Sequence, residues 1–116
     1  EEMPYSLQLS TQATNLQLAL LKTSICENYD MEDAIAACCN NEGICNEDAC
    51  SFIKDTLSDV VKEVLPYQKY KINAAYSNKE CFSVSNSACE NVVTSGPYPI
   101  RSIEGNIKFQ VYLCND

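Results

Sequence analysis

Eight cysteines are the residues of this sequence whose type and spacing could do chemistry. They follow the pattern C-x11-CC-x5-C-x4-C, and the remaining gaps are 30, 7 and 24 residues. A structural zinc site normally contains C-x-x-C pairs, because two thiolates at that spacing reach one ion from a tight turn. The chain has no C-x-x-C and no histidine, and Ile53 stands where plant-type iron–sulfur ligation would need a cysteine. We therefore expect no metal centre and no cofactor.

Disulfide bonds are the remaining use for these thiols, since catalytic dithiols also rely on C-x-x-C. Neighbouring cysteines normally bond to different partners, so Cys38 and Cys39 should diverge. Disulfides persist in oxidising compartments, which predicts an extracellular or cell-surface location. The predicted disulfide cysteines are Cys26, Cys38, Cys39, Cys45, Cys50, Cys81, Cys89 and Cys114.

The connectivity of these bridges is open, apart from two local expectations. The short loop "CFSVSNSAC" predicts a Cys81–Cys89 bridge. The five cysteines from Cys26 to Cys50 are odd in number, so at least one of them must bond outside that segment, and Cys114 is a candidate partner.

The acidic side chains are the second group that could do chemistry. A formal net charge of -8 argues against binding to nucleic acid or to anionic lipid, because both need a cationic surface. Acid–base catalysis would need a buried carboxyl with a raised pKa, whereas the polar, helix-capping contexts here indicate a solvated face. We therefore assign no catalytic residue and expect a non-enzymatic protein. The carboxyls considered are Asp30, Glu32, Asp33, Glu47 and Asp48.

Calcium is a better match to this acidic segment than catalysis. The EF-hand pattern fails, because Gly43 at its sixth position places Cys38 at the first, although Asn40 and Glu42 fit. A weak, irregular site stays open as an alternative, with Asp30, Asp33, Asn40 and Glu42 as its candidate ligands.

Seven tyrosines suggest contacts with a partner, since tyrosine is enriched at protein interfaces. Tyr70 and Tyr76 share the apolar face of a predicted strand and are expected in the core. The remaining candidates for a partner surface are Tyr5, Tyr29, Tyr67 and Tyr98. We expect a protein partner or self-association.

Hydrophobic periodicity predicts a single α+β domain over residues 1–116, with two to three helices packed on a C-terminal antiparallel sheet of three or four strands. Helices are predicted at 6–22 and 47–65, the second capped by Asn46 and ended by Pro66. The acidic, cysteine-rich segment 26–50 lies between them and should contain a short helix capped by Asp30.

Alternation of apolar residues predicts antiparallel strands over 69–114. The clearest are "KYKINAAYS" and "NIKFQVYLC", whose alternate residues are apolar. Between them, "CFSVSNSAC" is interpreted as a hairpin or loop, and "NVVTSGPYPI" as a strand that ends in a proline-rich turn, with Pro97 and Pro99 at a sheet edge.

The order of "LQLALLKTSI", "FIKDTLSDVVKEVLP", "YKINAAYS" and "SGPYPIRSIEGNIKFQVYLC" resembles the ectodomains of archaeal pilin-like, membrane-anchored surface proteins. In that group an N-terminal helix continues out of a membrane segment, and a small sheet wraps its outer half. The resemblance implies a structural role. No segment here is long and apolar enough to span a bilayer, so any membrane contact is expected through an upstream anchor. The chain begins "EEMPYS", and we expect a trimmed or processed form.

Two other function classes compete with this structural or interaction role. A free secreted binding module, such as an inhibitor, effector or small-ligand carrier, would have a cleaved signal peptide and an enclosed apolar cavity. A hydrolase would need a pocket holding two carboxyls within about 10 Å of each other.

Overall fold

The computed structural model describes residues 5–26, 28–76, 78–102 and 105–115, without the side chains of residues 5–7. Its helices are α1 (Tyr5–Leu21), α2 (Met31–Cys39) and α3 (Ala49–Val64). Helix α1 agrees with its predicted bounds of 6–22 to within one residue, and α2 follows the predicted Asp30 cap. The third begins two residues later than predicted, and its cap is Asp48 rather than Asn46, because the Asp48 carboxylate accepts a hydrogen bond from the backbone N–H of Ser51.

The strands form one five-stranded antiparallel sheet and two short hairpins. The hairpins are β1 (Ser24–Cys26) with β2 (Tyr29–Asp30), and β3 (Gly43–Ile44) with β4 (Glu47–Asp48). The sheet strands are β5 (Tyr70–Tyr76), β6 (Lys79–Ser85), β7 (Val92–Thr94), β8 (Tyr98–Ser102) and β9 (Gly105–Cys114).

Strand β9 lies at the centre of the sheet. One side of it pairs with β5, which pairs in turn with β6; the other side pairs with β7 and β8. The α+β class and the antiparallel sheet are therefore confirmed. The sheet has five strands rather than three or four, because the edge beside β9 is divided into two segments at residues 95–97.

Two predictions for the connecting segments need correction. "CFSVSNSAC" is mostly strand, since β6 continues through Ser85. The predicted proline-rich turn contains β8, in which Pro99 pairs with Lys108 of β9. Pro99 lies on the sheet edge, where a missing backbone N–H leaves no ladder bond unmade, so the edge placement of this proline is consistent with the structure.

The core lies between the helices and one face of the sheet. The apolar residues of α3 recur one turn apart at Ile53, Leu57 and Val61, all fully buried. Helix α1 packs on β7 and β9, and α3 packs on β6. The largest buried side chains are Phe109, Leu20, Met31, Ile35, Ile53, Leu57, Ile72, Ile100, Ile107, Leu113, Val61 and Val111.

A buried glutamine fills the break in the edge strand. Gln17 of α1 is 4 % exposed, and its Nε2 donates to the backbone carbonyls of Phe109 at 2.7 Å and Gly96 at 2.9 Å. Gly96 has φ +82, a conformation that favours glycine. Ser95 continues the pairing across the break, because its N–H donates to Val111 and its hydroxyl accepts from Val111. The break is therefore a hydrogen-bonded feature of the fold.

Candidate functional site

Four disulfide bonds fix the acidic segment and the end of the sheet, and they include all eight cysteines. The bridges are Cys26–Cys45, Cys38–Cys50, Cys39–Cys81 and Cys89–Cys114. The expectation that the adjacent cysteines bond to different partners is confirmed. Four disulfides indicate an oxidising environment.

The predicted Cys81–Cys89 bridge is wrong. Cys81 lies inside β6, and a strand rises about 3.3 Å per residue, so the chain runs about 13 Å away from Cys81 by Ser85. Cys81 instead lies 5.0 Å, Cα to Cα, from Cys39 at the end of α2. One cysteine of the acidic segment does bond outside it, as parity required, but its partner is Cys81. Cys114, the predicted candidate, bonds to Cys89.

The acidic segment forms a concave surface between α2 and the two hairpins. Asp33 and Glu42 line this depression together with the carboxylates of β4, and Tyr29 lies beside them. The depression has a volume of about 1010 Å³, and no basic side chain is among the described residues that line it. We call it the acidic depression. Its charge favours cationic partners and repels anionic ones.

Left-handed backbone is concentrated around the acidic depression. Asn41, Cys45 and Asn46 have φ of 58, 54 and 66, and they are the non-glycine residues of the described chain with positive φ. Asparagine tolerates this conformation, whereas a cysteine adopts it at a cost that the surrounding structure must offset. The Cys26–Cys45 bridge supplies that constraint by holding Cys45 against β1.

Two of the predicted calcium ligands are occupied by helix capping. The backbone N–H of Asp33 donates to the Asp30 carboxylate at 3.0 Å, and the backbone N–H of Asp30 donates to the Asp33 carboxylate at 3.0 Å. This reciprocal capping box begins α2, as the Asp30 cap predicted. Within the described residues, no group of three histidine, cysteine or acidic side chains is placed to hold a metal ion.

The third predicted ligand, Asn40, belongs to a side-chain network. The hydroxyl of Tyr76 donates to Asn40 Oδ1 at 3.0 Å and lies 2.7 Å from Ser102 Oγ. This network joins the end of α2 to β5 and β8. Glu42, the fourth candidate, has an exposed side chain and lines the acidic depression. The structure therefore does not gather the four residues around one point.

Glu32, on the first turn of α2, has a perturbed proton affinity. Partial burial raises the pKa of Glu32 above its ordinary value of 4.5, and the neighbouring charges of Asp30 and Asp33 raise it further. The two aspartates are themselves engaged in the capping box. The arrangement provides one perturbed carboxyl on the first turn of a helix.

The candidate tyrosines differ widely in exposure. Tyr67, in the turn after α3, is 98 % exposed, and Tyr29 is 50 % exposed. Tyr98 is half-buried and packs against the core, so it offers little surface to a partner. The side chain of Tyr5 lies outside the described residues. Of the two tyrosines expected in the core, Tyr70 is buried, while Tyr76 is half-buried and uses its hydroxyl in the network above.

A second concave surface, on the face of the sheet opposite the helices, was not foreseen from the sequence. It is lined by Lys71, Ser85 and Tyr112, with further serines and Val92 around them, and its volume is about 620 Å³. These residues occupy the outward positions of their strands. The alternation in the sequence identifies the inward, apolar positions and does not show which outward residues lie together. The register Ser85–Lys71–Tyr112 across β6, β5 and β9 is what brings them together.

Comparisons of the chain with models of protein families, with curated proteins and with solved structures give no match. In the described part of the chain, no helix combines the length and the apolar character needed to cross a membrane.

Proposed function

We propose that this chain is a non-enzymatic structural or interaction domain that works outside the cytoplasm, as the exposed part of a pilin-like or membrane-anchored surface protein. The observation that carries the proposal is the complete pairing of eight cysteines. Each bridge contributes on the order of 2–4 kcal/mol, so the four together contribute about 8–16 kcal/mol, comparable with the roughly 5–15 kcal/mol net stability of an ordinary domain. Such dependence suits a compartment where disulfides persist.

The placement of α1 supports the pilin-like part of the proposal. The helix lies against β7 and β9 and buries Leu9, Ala13, Leu16 and Leu20 on the sheet. In the surface proteins that the sequence resembles, a sheet wraps the outer half of an N-terminal helix in the same manner. This role requires an anchor upstream of Glu1.

The turn after α3 is the surface we assign to partner contact. Val64 is 58 % exposed, Tyr67 is 98 % exposed, and Pro66 lies between them. Tyrosine is enriched at protein interfaces, and Tyr67 presents nearly its whole side chain to a partner. Tyr67→Ala should weaken self-association in sedimentation velocity without changing the unfolding midpoint. Unchanged association would remove this turn from the proposal.

The localisation is tested in the source cells by blocking free thiols at lysis and then mapping disulfide-linked peptides of the isolated protein by mass spectrometry. We expect no alkylated cysteine, and we expect the protein in the membrane fraction and accessible to an impermeant biotinylation reagent on intact cells. Free thiols together with protection from biotinylation would refute the extracytoplasmic location.

A free secreted binding module is the second candidate. The acidic depression is a concave, carboxylate-lined surface and not the enclosed apolar cavity expected of a small-ligand carrier, so it favours a module that binds a cationic partner. The depression is concave, and the Cys26–Cys45 bridge in its lining restrains it. A rigid, pre-formed site loses little entropy on binding. Recovery of the protein from the culture medium, with its N-terminus at a signal-peptide cleavage site, would favour this candidate over the anchored one.

A further inference from the structure

The outer face of the sheet carries a concave site with a composition unlike the rest of this acidic chain. Lys71 and Tyr112 stand opposite each other on β5 and β9, and Ser85 stands beside Lys71 on β6. The volume of about 620 Å³ falls within the usual range of small-molecule sites. We call it the outer-face pocket. No acidic side chain is found among the described residues that line it.

Lys71 supplies the pocket with an available positive charge. Its side chain is exposed, and within the described parts of the chain it has no carboxylate partner. The ammonium nitrogen lies 6.0 Å from the centroid of the Tyr112 ring, at the limit of a cation–π contact. The Tyr112 hydroxyl donates to Gln110 Oε1 at 2.9 Å, which restrains the ring. The charge is therefore held over the pocket.

Three serines lie in the lining of the pocket. Ser83 and Ser85 are outward residues of β6, and Ser87 follows in the next turn. The Ser87 Oγ atom is buried and has no hydrogen-bond partner among the described residues. Buried polar atoms are nearly always paired, and this hydroxyl is an exception. Because this atom is buried, the hydroxyls that a ligand in the pocket can reach are those of Ser83 and Ser85.

An apolar wall completes the pocket. Val92 is 49 % exposed and lies beside the half-buried Tyr112. The Cys89–Cys114 bridge fixes this wall, since Cys114 pairs with Val92. A cation, several hydroxyls and an apolar wall are complementary to a molecule with an anionic group, several hydroxyls and a carbon–hydrogen face.

We infer that the outer-face pocket binds an acidic saccharide, a sugar unit bearing a carboxylate or sulfate. Lys71 binds the anionic group, Ser83 and Ser85 bind ring hydroxyls, and Val92 with Tyr112 contacts the apolar face of the sugar. The inference goes beyond the proposed structural role, because it holds whether the domain is anchored or free.

The test uses the oxidised chain, with D-glucuronate as the probe and D-glucose as its neutral counterpart. Binding is followed by backbone amide shifts in ¹H–¹⁵N NMR spectra. We expect saturable shifts at Ser83, Ser85 and Tyr112 with glucuronate, and affinity at least ten-fold weaker with glucose. Inorganic sulfate and acetate are titrated in parallel, because they carry the charge without the hydroxyls.

Two variants and one control decide which residues bind. Lys71→Gln should weaken glucuronate binding about ten-fold or more, since a charged hydrogen bond is lost. Ser85→Ala, at an exposed serine of the pocket, should weaken it by a smaller factor. Lys108→Gln is the matched control, because Lys108 is an exposed lysine on the same face outside the pocket, and it should bind like the unmodified chain.

Three results would overturn the inference. The first is the absence of saturable shifts with glucuronate. The second is equal weakening by the Lys71 and Lys108 substitutions, which would indicate nonspecific charge attraction. The third is binding of sulfate or acetate as tight as that of glucuronate, which would indicate a simple anion site. Loss of binding with unchanged disulfide mapping and surface biotinylation would leave the proposed function standing.

Discussion

Gln17 is the buried polar side chain on which the packing of α1 against the sheet depends most directly. Its Nε2 donates to carbonyls of Phe109 and Gly96, which lie 92 and 79 residues away in sequence. Gln17→Met keeps the length and volume of the side chain and removes both donors. The substitution therefore separates hydrogen bonding from packing.

The expected cost is about 2 kcal/mol in the free energy of unfolding, from two hydrogen bonds at about 1 kcal/mol each. The Gly96 carbonyl still accepts from the Ser95 hydroxyl at 2.9 Å, which limits the penalty on that side. A slope of about 4 kcal/mol per molar guanidinium chloride converts this cost into a midpoint shift of about 0.5 M.

The assay is guanidinium-induced unfolding of the oxidised chain, followed by circular dichroism. Gln12→Met is the matched control, because Gln12 is an exposed glutamine of the same helix. Its midpoint should stay within the error of the measurement. If Gln17→Met shifts the midpoint by no more than the control does, the two hydrogen bonds contribute nothing net and the reasoning is refuted.

Gln17→Glu extends the same experiment to pH. Burial and the two facing carbonyls raise the folded-state pKa of the introduced carboxyl above its unfolded value of about 4.3. Its protonated form retains a donor, so the variant should keep most of its stability below about pH 4 and lose it as pH rises through the raised pKa. Gln17→Met should show no such added pH dependence.

Three further predictions concern the acidic segment. Asp30→Ala removes one half of the α2 capping box and should lower the free energy of unfolding, measured by thermal unfolding, by about 1 kcal/mol. The control Asp55→Ala, at an exposed site within α3, should lower it little, and equal losses would contradict the capping role. Tyr76→Phe removes the hydroxyl bonded to the end of α2 and should cost about 1 kcal/mol by denaturant unfolding, while Tyr67→Phe at a fully exposed position should be silent. Because burial raises the folded-state pKa of Glu32, the charged form of this carboxyl is disfavoured in the fold at neutral pH. Glu32→Gln should therefore raise the melting temperature at pH 7, and this gain should vanish below the ordinary pKa of 4.5. A gain that does not depend on pH would refute the assignment.

The elements that could be predicted are those whose signal is local. The spacing of Ile53, Leu57 and Val61 defines the buried face of α3, and alternation in β5 and β9 defines the inner face of the sheet. The capping by Asp30 depends on residues only three positions apart.

The features that could not be predicted depend on long-range register. The pairing of Cys39 with Cys81 requires β6 to lie against α2, and no local pattern encodes that approach. Pro97 and Pro99 indicated a turn, and only pairing with β9 makes Tyr98–Ser102 a strand. The outer-face pocket likewise arises from residues 71, 85 and 112 meeting through strand register.

The order of the four bridges has a mechanical consequence. Tension applied between Cys26 and Cys114 would pass through the bridges and through only three short peptide segments, 45–50, 38–39 and 81–89. At about 3.5 Å per residue, the oxidised chain between those two cysteines could extend to about 70 Å, against about 300 Å for the reduced chain. If all secondary structure were pulled apart, the stretch from Cys26 to Cys114 would still have less than a quarter of its unbridged contour length, so the bridges set a short, fixed limit on how far a load can draw it out.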